Sequence, residues 1–198
     1  MTVTRSLLLI SVPLIGIACA AEPGADSTEA PAATAESMVR STATLEVATD
    51  LGVRNARMPM PGVLSAGQPT QEQLEAMRAA GFENFISLRP TSEEGAGWEE
   101  AHSADGSYDF DRVPISGAAS LTRENVERFA ALLEAAEDGP AVLYCASGNR
   151  VGAMLALKAH WVDGVEAEAA LELGLQGGMT RLEAPVRELL GLEPDGAP

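Results

Sequence analysis

Two rhythms of apolar and polar positions alternate along this chain. Short apolar runs bounded by Gly or Pro predict strands over residues 62–66, 82–88 and 141–144. A fourth strand is predicted over 108–115, where Tyr108, Phe110 and Arg112 alternate with Asp109, Asp111 and Val113. Helical spacing fills the intervals. Thr70 with Gln73 makes a capping box for a helix through Ala80 that Gly81 ends, and Thr122 caps a second helix to Glu137 with Val126, Phe129, Ala130 and Leu133 facing the core. Helices also follow over 151–161, from Asp163-Gly164 to Gly174, and from a Thr180 cap to Leu190 after the break at Gln176-Gly177-Gly178. Leu173, Leu175, Met179 and Leu182 read as core packing. Thr44–Val47 adds a short edge strand. Strand, helix and strand within 62–88 predict a right-handed crossover and a parallel strand pair. The sum is an α/β domain over 57–192: three layers, with a mainly parallel central sheet of about four to five strands flanked by helices.

Outside that domain the composition changes. Arg5, the apolar run Leu7–Ile17 and the small residues Ala18-Cys19-Ala20 form an export signal over 1–20, too short to span a bilayer comfortably. Cleavage after Ala20 gives a soluble periplasmic protein. Alternatively, Gly16-Ile17-Ala18-Cys19 resembles a bacterial lipoprotein signal with Cys19 lipidated and the membrane reached only through that anchor. Residues 21–56, rich in Ala, Glu, Ser, Thr and Pro over most of their length, read as a disordered linker, and 193–198 as a tail. The 198 residues carry a net charge of -16 with Lys158 as the single lysine, which argues against nucleic acid and anionic lipid as partners. An anionic substrate must then be held by local geometry.

That geometry is offered by Val142-Leu-Tyr-Cys-Ala-Ser-Gly-Asn-Arg-Val-Gly152. Cys145 stands at a strand-to-helix turn, where backbone N–H groups and the positive end of the helix favour an anion. The same field favours a thiolate, so Cys145 is a candidate nucleophile. Arg150 adds a planar, permanently charged fork suited to a tetrahedral oxyanion, and Gly148 lets the turn tighten so that Ala146, Ser147, Gly148 and Asn149 present their N–H groups. With Cys19 removed or modified, Cys145 is the one free thiol of the mature chain, and no disulfide framework is possible. The two histidines are far apart, so no metal site and no cofactor is implied. Arg89 falls at the carboxyl end of a strand, where it either reaches the anion or pairs with the acidic, irregular loop 91–107. Gln68 and Ser147 read as turn and loop supports, and His102 as a surface histidine.

The runs G-V-L-S-A-G-Q-P-T at 62–70, A-A-G-F-E-N-F-I-S-L-R-P at 79–90, V-P-I-S-G at 113–117 and Y-C-A-S-G-N-R-V-G at 144–152 add a family resemblance. Over about residues 57–162 the chain resembles the phosphatase-like domain of the beta-lactamase-hydrolase-like proteins, a bacterial branch of the dual-specificity, tyrosine-phosphatase-like fold. The resemblance implies Cys145 as nucleophile, Arg150 as anion-binding arginine and 146–149 as backbone cradle. Tyrosine phosphatases have five residues between Cys and Arg, whereas here there are four, and C-A-S-G-N-R is similar to the loop of rhodaneses. The family's general acid is an Asp in the loop that here reads Ser116-Gly-Ala-Ala-Ser120. Asp111, the nearest carboxylate, is expected on the surface. An alkoxide would lack its proton donor, while sulfite leaves without one. The sequence therefore ranks transfer of sulfur from thiosulfate or a persulfide first, phosphate ester hydrolysis through a phosphocysteine second, and a non-catalytic anion or redox sensor third.

Overall fold

The computed structural model describes residues 45–136 and 139–194. The export signal, the linker as far as residue 44 and the last four residues of the tail lie outside them. Strands β1 (Arg57–Met60), β2 (Val63–Ala66), β3 (Asn84–Ser87), β4 (Asp109–Arg112) and β5 (Ala141–Tyr144) form one sheet in the order β1-β2-β5-β3-β4. β1 is antiparallel to β2, and the other pairings are parallel. β5 is thus the central strand, with Leu143 opposite Ser65 on one side and Ile86 on the other. Every residue of β5 is buried. Such a strand reads as an unbroken apolar run because neither face meets water.

Two apolar layers cover the sheet. Leu143, Ile86 and Val63 pack with Val126 and Phe129 of α4 (Arg123–Ala135), with α5 (Asn149–Trp161), and with residues of α6 (Ala167–Gln176) and α7 (Glu183–Leu189). On the opposite face Val142, Tyr144, Phe85 and Leu64 meet Ala48 of α1 (residues 45–50) and Leu74 and Met77 of α2 (Gln71–Ala79). Alternation along β5 assigns Leu143 to one layer and its neighbours to the other, as the pleat requires.

The α/β architecture with five strands agrees with the sequence, as do the caps. Thr70 accepts from Gln73 N–H at 3.2 Å while the Gln73 side chain accepts from Thr70 N–H at 2.9 Å. Thr122 accepts from Asn125 N–H at 3.3 Å. Other expectations need correction. Residues 45–50 are helical, so the edge strand expected over Thr44–Val47 does not form at 45–47, and Thr44 lies outside the described residues. Ala48 is fully buried and Val53 5% exposed, which makes 45–56 part of the packed domain rather than linker. The strands predicted at 62–66 and 82–88 run parallel but are not neighbours, because β5 lies between them. The sixth helix continues past Gly174 to Gln176, and the seventh starts after Leu182, not after Thr180. Gly174 sits inside α6 for a packing reason: a Cβ there would lie 2.8 Å from Ala156 Cβ and 2.8 Å from Gly152 O, so its absence lets α5 and α6 touch backbone to backbone.

Candidate active site

At the end of β5 the chain leaves the sheet through Cys145, whose N–H donates to Ala66 O at 3.3 Å. Gly148 turns it with φ +85, a left-handed conformation that glycine adopts without steric cost, and α5 begins at Asn149. The first backbone bond of α5, Gly152 N–H to Gly148 O at 3.0 Å, leaves the preceding N–H groups outside the helical ladder. Neighbouring segments brace this turn. Asn55 donates to Ser147 O at 3.0 Å, and Gly67 N–H donates to Arg54 O at 2.7 Å. A Cβ on Gly67 would stand 3.2 Å from Ala146 O. Asn149 turns its side chain to the opposite wall, where Oδ1 accepts from Thr180 N–H at 2.8 Å, Thr180 Oγ1 at 3.1 Å and Leu182 N–H at 3.2 Å. Thr180 caps no helix; its N–H and hydroxyl both donate to Asn149.

Arg150 points back over this turn toward Cys145. Its Nη1 donates to Glu93 Oε1 at 2.5 Å and to Ile115 O at 2.7 Å, and its Nη2 donates to Glu93 Oε2 at 2.9 Å. These bonds use three of the five guanidinium N–H groups and leave others for the sulfur and for an incoming oxyanion. Burial disfavours the charge on Arg150, but the Glu93 hydrogen bond and the adjoining Cys145 sulfur outweigh it and raise the pKa above its ordinary value. Glu93 responds in kind. The hydrogen bond from Arg150, opposed by burial and aided by Arg89, lowers its pKa from 4.5 to about 2.

Arg89 resolves the alternatives left open for it. Its Nε donates to Glu93 Oε2 at 2.9 Å, Nη1 to Gln68 Oε1 at 3.0 Å and Nη2 to Glu94 O at 2.5 Å. It pairs with the acidic loop and reaches the site through Glu93, as a positioning residue. Behind it lies a second polar group. Glu99, with no exposed surface, accepts from Gln68 at 3.1 Å, Tyr144 OH at 3.2 Å, Gly97 N–H at 2.9 Å and Arg112 at 3.0 Å. Arg112 also donates to Ser87 Oγ at 3.1 Å and Arg89 O at 2.6 Å. Burial, then the Glu99 charge, pushes the Tyr144 hydroxyl well above its usual pKa and keeps it a donor. The loop 91–107, with its one-turn helix α3 (Glu99–His102), is thereby fastened to the carboxyl edge of the sheet.

Several sequence expectations meet this geometry. Cys145 and Arg150 are brought together, and Ala146, Ser147 and Gly148 form the turn between them. The sulfur, however, is not displayed at a mouth: Cys145 is 1% exposed and packs among core residues, because it follows the central strand. Asn149 is a brace for 180–182. Ser147 O accepts from Asn55, and Gln68 links Arg89 to Glu99. His102 is structural, with Nδ1 at 2.9 Å from Tyr108 OH and Nε2 at 3.0 Å from Glu75. Asp111 is exposed on β4. Glu93, Glu99, Arg112 and Asn55 were not singled out by the sequence. The spacing Arg89 to Glu93 was the available signal.

Known proteins identify this arrangement. A family model, PTP-NADK, described as "DSP-PTPase phosphatase fused to NAD+ Kinase", matches residues 56–184, more than half of the chain. The chain belongs to this family. Among solved structures, a candidate phosphatase of the DUF442 group from Shewanella putrefaciens superimposes with a TM-score of 0.58 at 19% identity, covering 74% of this chain and 97% of that one. A candidate phosphatase from Neisseria meningitidis gives 0.55 at 17% identity, covering 67% and 96%. The Cydia pomonella PTP-2 phosphatase gives 0.53 at 16% identity, covering 69% and 88%. These likenesses establish a tyrosine-phosphatase-like fold for this PTP-NADK member. No curated protein matches the chain.

Proposed function

We propose that the chain hydrolyses phosphate monoesters through a phosphocysteine at Cys145, reversing the order in which the sequence placed sulfur transfer and phosphate hydrolysis. The observation that supports this most is the convergence of Cys145 and a carboxylate-oriented Arg150 on one turn at the start of α5, in a chain of a phosphatase family. Cys145 thiolate attacks phosphorus, forming a P–S bond as the P–O bond to the leaving group breaks. The leaving oxygen departs with the electron pair. Water then attacks phosphorus, the P–S bond breaks, and inorganic phosphate and thiolate result. Arg150 and the N–H groups of the turn stabilise the equatorial oxygens, where charge spreads in the transition state.

Proton donation sets the substrate preference. Glu93 is the carboxylate on Arg150, and with a pKa of about 2 it is ionised at neutral pH and has no proton to give. Leaving groups that depart without protonation, such as phenolates, are therefore favoured over alkoxides. The four-residue spacing between Cys145 and Arg150 favours sulfur transfer as a second reading. One experiment separates the two: residues 45–198 and Cys145→Ser are assayed with an aryl phosphate and with thiosulfate plus cyanide. Phosphate release that Cys145→Ser abolishes, and that Arg150→Ala lowers about a hundredfold or more, supports hydrolysis. Thiocyanate formation without phosphate release overturns it. Export remains part of the proposal on the strength of residues 1–20, and the mass of the mature N-terminus tests it.

A further inference from the structure

We propose that Arg54, Arg57 and Arg181 form a cationic rim around the Cys145 turn that binds a second phosphoryl group of the substrate, which makes small bisphosphorylated esters the substrate class. The inference rests on the phosphate-binding reading of the turn and extends it. The chain carries a net charge of -16, and most of its described cations have partners. Among the described residues, Arg78, Arg89, Arg112, Arg123, Arg150, Arg187 and Lys158 each face a carboxylate, and Arg128 donates to Arg112 O. Arg54, Arg57 and Arg181 are exposed and have no side-chain hydrogen bond or ion pair among the described residues.

All three adjoin the same turn. Arg54 and Ala146 flank Gly67, since a Cβ placed there would lie 3.1 Å from Arg54 Cβ and 3.2 Å from Ala146 O. The Arg57 side chain runs past Gly178, with Nε 3.3 Å and Gly148 C 3.7 Å from the position of a Cβ on that residue. Arg181 follows Thr180, whose N–H and hydroxyl both donate to Asn149. Three unpaired arginines, one just before β1, one at its first position and one beside Thr180, thus flank residues 146, 148 and 149, with Arg57 Nε running past Gly178. The acidic remainder of the surface does not cancel them, because salt screens charges beyond about 8–10 Å. Arg150 is already shared with Glu93 and serves the reacting phosphoryl group, which leaves the rim for an anion beyond it.

The test measures binding, independently of turnover, to Cys145→Ser by calorimetry, with inorganic phosphate and pyrophosphate as probes. Pyrophosphate is expected to bind about tenfold tighter than phosphate, as charge-assisted bonds to a second phosphoryl group warrant. Adding Arg54→Ala, Arg57→Ala and Arg181→Ala should reduce that ratio to within about threefold with phosphate binding unchanged. Thermal denaturation confirms that the variant is folded. Equal affinities in Cys145→Ser alone, a ratio that survives the three substitutions, or absence of binding by both anions overturns the proposal. Failure of the hydrolase reading has a different signature: the unsubstituted chain releases no phosphate from an aryl phosphate while the pyrophosphate ratio stands.

Discussion

Replacing Glu93 by Gln removes a charge with little change of shape, and the structure sets the size of the effect. The hydrogen bond from Arg150 chiefly, against burial, lowers the Glu93 pKa from 4.5 to about 2. The folded state therefore keeps a carboxylate where the unfolded chain has taken up a proton. Its contribution to stability is fully present above about pH 4.5 and disappears as pH falls toward about 2. At about 1.4 kcal/mol per unit the shift corresponds to a ceiling of about 3 kcal/mol. The side chain is 30% exposed, and solvent screening reduces the figure to about 1–2 kcal/mol. Urea denaturation of both proteins across a pH series reads it directly. Glu93→Gln should be less stable by that amount at neutral pH, where Arg89 and Arg150 lose the anion between them, and the two curves should converge in acid. A gap that stays constant from neutral pH to about pH 2.5 would refute the reasoning, because it would show that the loss was not the charge.

Two substitutions probe the scaffold of the turn. A methyl group at Gly152 would stand 2.3 Å from Gly174 O and 2.4 Å from Met179 N, both backbone atoms, so Gly152→Ala should cost about 3 kcal/mol and lower Tm by about 6–12 °C. Calorimetry showing an unchanged Tm would contradict the close approach of α5 and α6. Asn149→Ala strands the N–H groups of Thr180 and Leu182 and should cost about 2–4 kcal/mol by denaturant unfolding, while Asn149→Asp, which keeps the acceptor, should lose less.

What the sequence made legible was local. Thr70 and Gln73 are three residues apart, and their reciprocal bonds follow from that spacing alone; the apolar run into Cys145, followed by Gly148 and Arg150, announced strand, turn and helix in the same way. β1 escaped because Arg57-Met58-Pro59-Met60 is only four residues long, contains Pro59 and pairs on one edge only. The order of strands is a long-range property. Nothing within 141–144 says that β5 lies at the centre, and the burial of Cys145 follows from that position. The pairing of Glu93 with Arg150 spans 57 residues, beyond any window in which periodicity carries information. The irregular acidic loop entered the sequence reading only as one of two alternatives for Arg89. Its carboxylates are the groups that orient the arginine and anchor the loop to the sheet edge.

The most direct measurement is rapid acid quenching of the chain during turnover of an aryl phosphate, followed by mass analysis of the peptide that contains Cys145. The account predicts one added phosphoryl group on that peptide, appearing before phosphate reaches its steady rate and absent in Cys145→Ser. Continued phosphate release with an unmodified Cys145 peptide, or a Cys145 that accepts sulfur from thiosulfate and never a phosphoryl group, would contradict it.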